Sequence, residues 1–160
     1  MDSEEKLSFN INDIKSCQRN RYPMLFVDKI TECVPLKYAK GIKNWSFNEW
    51  FFPGHFEGSP NVPGSILLES VTQVFLMTFL CTDECRGFKA LSSKMNNARF
   101  TRKIIPGERM ETTAICDSFR RGIARGRADA RVGGELAFSV ELTIVVPDIL
   151  NGFSPLKSVV

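Results

Sequence analysis

The sequence predicts an α+β fold in which a long antiparallel sheet wraps around one long central helix. Three observations carry this. The run from Pro63 to Cys81 is apolar on almost every face of a helix, through Ile66, Leu67, Leu68, Val71, Val74, Phe75, Leu76, Met77, Phe79 and Leu80, and a helix that is apolar all round is buried all round. After Gly87 the pattern turns to strands, the last alternating at Leu136, Phe138, Val140, Leu142 and Ile144. Gly133-Gly134, between two of these segments, is a hairpin signal because both positions tolerate positive φ. One buried helix against a run of strands is an α+β layout.

In chain order, residues 1–18 read as an N-terminal extension, with a short helix from Ile11 to Gln18 that places Ile11 and Ile14 on one side. Arg21-Tyr22-Pro23 ends it, since the residue before a proline avoids the helical region. Met24 to Cys33 reads as a buried strand, Pro35 as a turn, and Lys37 to Phe47 as a second strand with approximate alternation at Ala39, Ile42 and Trp45. Asn48 to Asn61 is loop, with Pro53, Gly54, Gly58 and Pro60. Pro63 suits the first turn of the long helix, where its missing N–H is not needed. Phe88 to Phe100, Glu108 to Phe119, Gly122 to Arg131 and Leu136 to Val146 read as strands, with a turn over Ile104 to Gly107. The tail from Pro147 to Val160 reads as irregular.

At 160 residues the chain is expected to form one domain, residues 1–160, with a single core. Its apolar content of 43% and aromatic content of 11% exclude a disordered polymer. Net charge is only +3, but it is uneven. Lys94, Arg99, Arg102, Lys103, Arg109, Arg120, Arg121, Arg125, Arg127 and Arg131 face only Glu108, Glu111, Asp117 and Asp129 in the same stretch. Two readings stay open: a basic face for an acidic partner, or strand surfaces defended by charge. The stretch lacks a recognition helix or stacking aromatics, which speaks against nucleic acid. Cysteines 17, 33, 81, 85 and 116 show no framework spacing, and one histidine offers little to complete a zinc site, so no metal is expected. Free thiols and the acidic, polar start MDSEEKLSFN point to a cytoplasmic protein without a signal peptide. The uncharged run Ser70 to Thr82 is too short to span a bilayer.

The chemistry-bearing stretch is PGHFEGSPNVPGSILLESVTQ, Pro53 to Gln73. It holds the only histidine, His55, in a Gly- and Pro-rich loop, and one carboxylate, Glu69, inside the apolar helix. An imidazole and a carboxylate in oily surroundings are the ingredients of proton transfer. Glu69 lies five residues past Gly64, about 7.5 Å along the helix axis at ~1.5 Å per residue. For Glu69 the bland alternative is a surface glutamate, disfavoured by its apolar neighbours; for His55 it is a loop histidine without a role.

RYPMLFVD, NEWFFPGHFEGSPNVPGSILLESVTQ and ARFTRKIIPGERM, in this order and spacing, resemble the β-hydroxyacyl-(acyl carrier protein) dehydratases of fatty-acid synthesis, over roughly Arg19 to Val146. The resemblance implies a hot-dog fold and dehydration of a 3-hydroxyacyl thioester to the trans-2-enoyl thioester, with no cofactor. It implies that His55 takes the α-proton, that Glu69 assists departure of the hydroxyl directly or through a water, and that the Gly64 N–H holds the thioester oxygen. The resemblance also places Phe56, Val62 and Gln73 on the substrate side, although Gln73 equally reads as a satisfied core amide. Arg99, Arg102 and Lys103 are assigned to docking of an acidic acyl carrier protein whose phosphopantetheine arm delivers the acyl chain. The family pattern also implies a homodimer with His55 of one subunit facing Glu69 of the other, and suggests a trimer of dimers as a higher assembly.

The chain departs from that pattern at several points. Asn20 stands where many relatives have His, Glu57 replaces a proline two residues from His55, Val62 replaces a common methionine, and Asn96-Asn97 occupy a place where a charge is frequent. These departures leave open a specialised substrate. The alternative readings on this fold are an acyl thioesterase and a non-catalytic acyl-thioester-binding protein, because fold alone does not decide among them.

Overall fold

The structure, a computed structural model, describes residues 5–153. Its elements are β1 (Leu7–Phe9), α1 (Ile11–Cys17), β2 (Lys29–Val34), β3 (Tyr38–Asn44), a 3-10 turn (Phe52–Gly54), α2 (Gly64–Leu80), β4 (Leu91–Phe100), β5 (Arg109–Arg120), β6 (Ile123–Val132), β7 (Glu135–Val145) and α3 (Pro147–Gly152). The strands form one antiparallel sheet in the order β1-β2-β3-β5-β6-β7-β4. The sheet wraps α2, as the pattern of one apolar helix among strands predicts.

Two glycines show how closely the sheet approaches the helix. A Cβ at Gly41 would stand 2.7 Å from Val74 Cγ2. At Gly126 it would strike the Ile115 carbonyl oxygen at 2.0 Å and the Phe75 ring at 2.5 Å, so only glycine fits the sheet there. The period-two pattern of β3 is hard to see in sequence because its inward positions are Ala39, Gly41 and Lys43. Lys43 is tolerated inside because its ammonium meets Glu49 at 2.5 Å and Asp28 at 3.4 Å, and lies over the Trp45 ring.

Several sequence expectations need correction. Met24 to Asp28 is not strand; β2 begins only at Lys29. The Phe26 backbone is satisfied instead by helix side chains, its N–H donating to Gln73 Oε1 at 2.7 Å and its carbonyl accepting from Ser70 Oγ at 2.7 Å. A strand partner is therefore unnecessary. β4 starts at Leu91, not Phe88. The N-terminal extension adds an unexpected strand, β1, before α1. In α1, Ile14 is fully buried but Ile11 is exposed, and Asn10 caps the helix in a reciprocal box with Asp13. The tail is not wholly irregular: Val146 O accepts from the Ile149 and Leu150 N–H groups as α3 folds back over Gly122. Residues 154–160 of that tail lie outside the described residues.

Within a single chain every residue of α2 from Ser70 to Leu80 is already buried. The sheet of one chain therefore covers the C-terminal part of this helix. The open side of α2 is its first half, where Ser65 is exposed and Gly64, Leu68 and Glu69 are half-buried. Among the described residues no helix is long and apolar enough to cross a membrane.

Candidate active site

The helix α2 starts bare. Its N-cap is Pro63, which offers no capping side chain, and the first N–H groups to find an acceptor are those of Ile66 and Leu67, both on Pro63 O. The Gly64 and Ser65 N–H groups make no hydrogen bond among the described residues, so the positive end of the helix is open to an incoming oxygen. A cavity of about 450 Å³ lies against it, lined by Val62, Gly64, Phe100, Arg102 and Lys103 among others. Phe100, half exposed and stacked on Phe138, walls this cavity; a Cβ at Gly64 would stand 2.9 Å from its ring.

His55 sits on the loop that leads into α2. Its Nδ1 lies 3.0 Å from the Asn61 carbonyl oxygen. A carbonyl only accepts, so Nδ1 carries a proton, and in the neutral imidazole the lone pair is on Nε2. The Asn61 N–H returns a bond to His55 O at 2.9 Å, closing the loop on itself, and the imidazole stacks on Phe56 with ring centroids 4.1 Å apart. Among the described residues Glu57 forms no ion pair with His55, whose ring has one hydrogen-bond partner, the Asn61 carbonyl.

Glu69 is surrounded differently. Its Oε1 accepts from Gln73 Nε2 at 2.7 Å and from Asn20 Nδ2 at 3.0 Å. Gln73 also donates to Met24 O at 2.7 Å and accepts from the Phe26 N–H, so both of its amide atoms are engaged and its orientation is unambiguous. Gln73 is thus a satisfied core amide that also donates to the Glu69 carboxyl group. Among the described residues no hydrogen bond links His55 to Glu69.

The candidate docking residues separate. Arg102 and Lys103 line the cavity at Gly64, whereas Arg99 lines another depression with Arg127, Asp129 and Glu141 on the outer sheet face. Arg102 is held by Glu108 through paired contacts of 2.9 and 2.5 Å and by Glu135 at 3.0 Å, and this partnership holds the Glu108 carboxyl below its usual range. Lys103 and Arg99 are exposed and make no ion pair among the described residues. A larger depression of about 540 Å³ beside Lys94, Arg125 and Arg127 is charged sheet surface, since Arg127 pairs with Asp117 at 2.6 Å. Arg109 and Arg131 likewise meet Glu111 and Asp129, so much of the basic stretch is strand surface balanced by its neighbours.

Phe100 lies in the ARFTRKIIPGERM block that the sequence singles out, and its ring stands beside the helix start at the cavity wall. Sequence reasoning missed Asn20 as a neighbour of Glu69; it was visible only as a departure from pattern. Among the described residues no cluster of His, Cys, Asp and Glu is arranged to hold a metal.

The FabA-like domain family matches residues 19–141, a span that contains His55, Gly64, Glu69 and the β4–β5 loop. The chain belongs to this family. It is 37% identical over 137 residues to the 3-hydroxyacyl-[acyl-carrier-protein] dehydratase FabZ of Clostridium botulinum (strain Okra / Type B1), covering 86% of this chain and 95% of that one. It is 38% identical over 139 residues to the FabZ of Bacillus cereus (strain AH820), covering 87% and 96%. Among solved structures, the dehydratase heterocomplex ApeI:P from Xenorhabdus doucetiae superimposes with a TM-score of 0.73 at 10% identity, over 87% of this chain and 95% of that one. A sigma28-regulated virulence protein of Campylobacter jejuni gives a TM-score of 0.62 at 14% identity, over 81% and 82%. At such identities these structures speak for the hot-dog fold alone, while the FabA-like membership rests on sequence.

Proposed function

We propose that this FabA-like chain dehydrates 3-hydroxyacyl thioesters carried on acyl carrier protein, giving trans-2-enoyl thioesters. The observation that carries the mechanism is the His55 tautomer: with Nδ1–H given to the Asn61 carbonyl, Nε2 is a free base on the loop entering α2. Nε2 removes the α-proton, and that C–H electron pair becomes the new Cα–Cβ double bond. Negative charge that develops on the thioester oxygen is met by the open Gly64 N–H at the helix start. The β C–O bond breaks, Glu69 delivers the proton directly or through a water, and the hydroxyl leaves as water. The proton taken by His55 returns to Glu69 through solvent, which resets the site.

A homodimer fits the separation of the two groups. Edge strand β4 is exposed at every position except Met95, which is half-buried, and its outer edge has no partner strand among the described residues. The open first half of α2 carries Glu69, and Phe47, Trp50 and Phe56 expose apolar surface nearby in sequence to His55. A second copy paired along β4 would bring His55 of one subunit to Glu69 of the other. A trimer of dimers is the further assembly implied by the family pattern. Delivery of the substrate is assigned to Lys103 at the mouth of the Gly64 cavity, with Arg102 shaping that mouth through Glu108 and Arg99 contributing charge from the outer face.

The test is direct. 3-Hydroxyacyl thioesters of several chain lengths are incubated with the protein and loss of water is followed by mass. His55→Ala and Glu69→Gln are each expected to slow dehydration by roughly two orders of magnitude or more, the scale of a positioned acid or base. Near-full activity of either variant refutes the mechanism.

A further inference from the structure

The side chain of Asn20 ends on the Glu69 carboxylate, yet no step above uses it. Its Nδ2 lies 3.0 Å from Oε1, the same oxygen that takes the Gln73 amide at 2.7 Å. Oε2 has no hydrogen bond among the described residues, and it is not an orphaned buried atom, because Glu69 is only half-buried. Two donors on one oxygen leave the other oxygen for chemistry.

The segment that carries Asn20 is unusually well tied for a linker. Arg19 Nε donates to Gly87 O at 2.6 Å. Arg21 donates to Lys15 O at 2.8 Å, to Gln18 O at 2.8 Å and to Asn20's own carbonyl at 2.7 Å. Gln18 is buried and reaches the Gln73 carbonyl at 3.3 Å. The two arginines flanking Asn20 are thus turned onto backbone oxygens, and Glu69 makes no ion pair among the described residues. The carboxylate is steered by neutral amides from two sides: one on α2 itself, one turn further on, the other from the linker after α1.

We propose that Asn20 is a positioning residue for the dehydration: with Gln73 it holds Oε1 of Glu69, so that Oε2 is the oxygen presented to the leaving hydroxyl. This rests on the reading of Glu69 as the group that assists hydroxyl departure. A carboxylate held on one oxygen has its reactive oxygen in one place, and geometric placement of this kind is what proximity effects require.

Three variants test it: Asn20→Ala, Asn20→Asp and Asn20→His, each with kcat, KM, thermal midpoint and the pH dependence of kcat. Asn20→Ala removes the donor and is expected to lower kcat by roughly tenfold to a hundredfold, with KM and midpoint near those of the parent. Asn20→Asp keeps the shape but as a carboxylate has no N–H to give; it is expected to fall as Asn20→Ala does. Asn20→His restores a ring N–H and should recover part of kcat while adding an ionisation near the ordinary histidine value, about 6.5, to the kcat profile. A purely structural Asn20 would lower the midpoint in all three and leave the pH profile unchanged, and that result overturns the proposal. So does Asn20→Ala or Asn20→Asp with kcat within twofold of the parent while Glu69→Gln is inactive. If Glu69→Gln is itself fully active, the failure lies in the reading of Glu69, whatever the Asn20 variants do.

Discussion

Glu69 is held by two side-chain amides on a largely buried helix, whereas His55 stands on a loop with one ring nitrogen tied to a single carbonyl. Around Glu69 the polar atoms interlock: Gln73 bonds Glu69, Met24 O and the Phe26 N–H together, and Ser70 takes the Phe26 carbonyl. Around His55 the surroundings are exposed, with Phe56 stacked on the imidazole and half open to solvent. The difference teaches that the Glu69 carboxylate is interlocked with side chains of its own chain, whereas the His55 imidazole has one ring nitrogen tied and the other without a partner among the described residues. Satisfied buried networks are rigid and specific, while a loop gains that order when another surface packs on it.

The largest effect expected from this contrast is in mixing. His55→Ala and Glu69→Gln chains, each inactive alone, should recover activity when unfolded together and refolded. Mixed dimers then carry one site of two with both groups intact, and random pairing restores about a quarter of the parent activity, a rise of more than roughly tenfold over either variant. No recovery, with mixed dimers demonstrated by mass, breaks the idea that the two halves come from different chains.

An intermediate effect is expected at the helix start. Gly64→Val would drive a side chain into the Phe100 ring, which a Cβ alone already meets at 2.9 Å, and would crowd the open N–H. Turnover should fall by roughly tenfold to a thousandfold, the range for losing one oxyanion donor, while the thermal midpoint moves little because Phe100 is exposed and able to swing aside. A rate that is unaffected shows that the thioester oxygen is held elsewhere.

The smallest effects should come from the surface. Lys103→Glu is expected to raise the KM for carrier-protein substrate several-fold and to leave saturating turnover nearly unchanged, with the effect shrinking as salt rises. Arg99→Glu should do less, since Arg99 faces the outer depression. The same substrates on coenzyme A should respond more weakly. Equal responses of both carriers remove the docking role and leave the basic stretch as strand surface.

Much of this was legible in the sequence. The apolar periodicity of residues 63–81 located α2 to within a residue or two, and Gly133-Gly134 located the β6–β7 hairpin, where both glycines adopt positive φ of 57° and 84°. Strand β3 was blurred because Gly41 and Lys43 point inward, and a hydrophobic count does not recognise a glycine that makes room or a lysine neutralised by carboxylates. Met24 to Asp28 was misread as strand because hydrophobicity records burial, not which group satisfies the backbone.

By itself the sequence determined the fold class, the single imidazole, the single carboxylate of the helix and the glycine at its start, because these follow from residue type and local spacing. Tertiary structure alone decided which His55 nitrogen is free, which Glu69 oxygen is held, and that Asn20, 49 positions away in the chain, is the residue that helps hold it. It also decided that Arg102 is bound up by Glu108 and Glu135 while Lys103 is not. The physical reason is the same in each case. A hydrogen bond depends on distances of about 3 Å and on direction, and such closeness between distant parts of a chain exists only after the chain has folded.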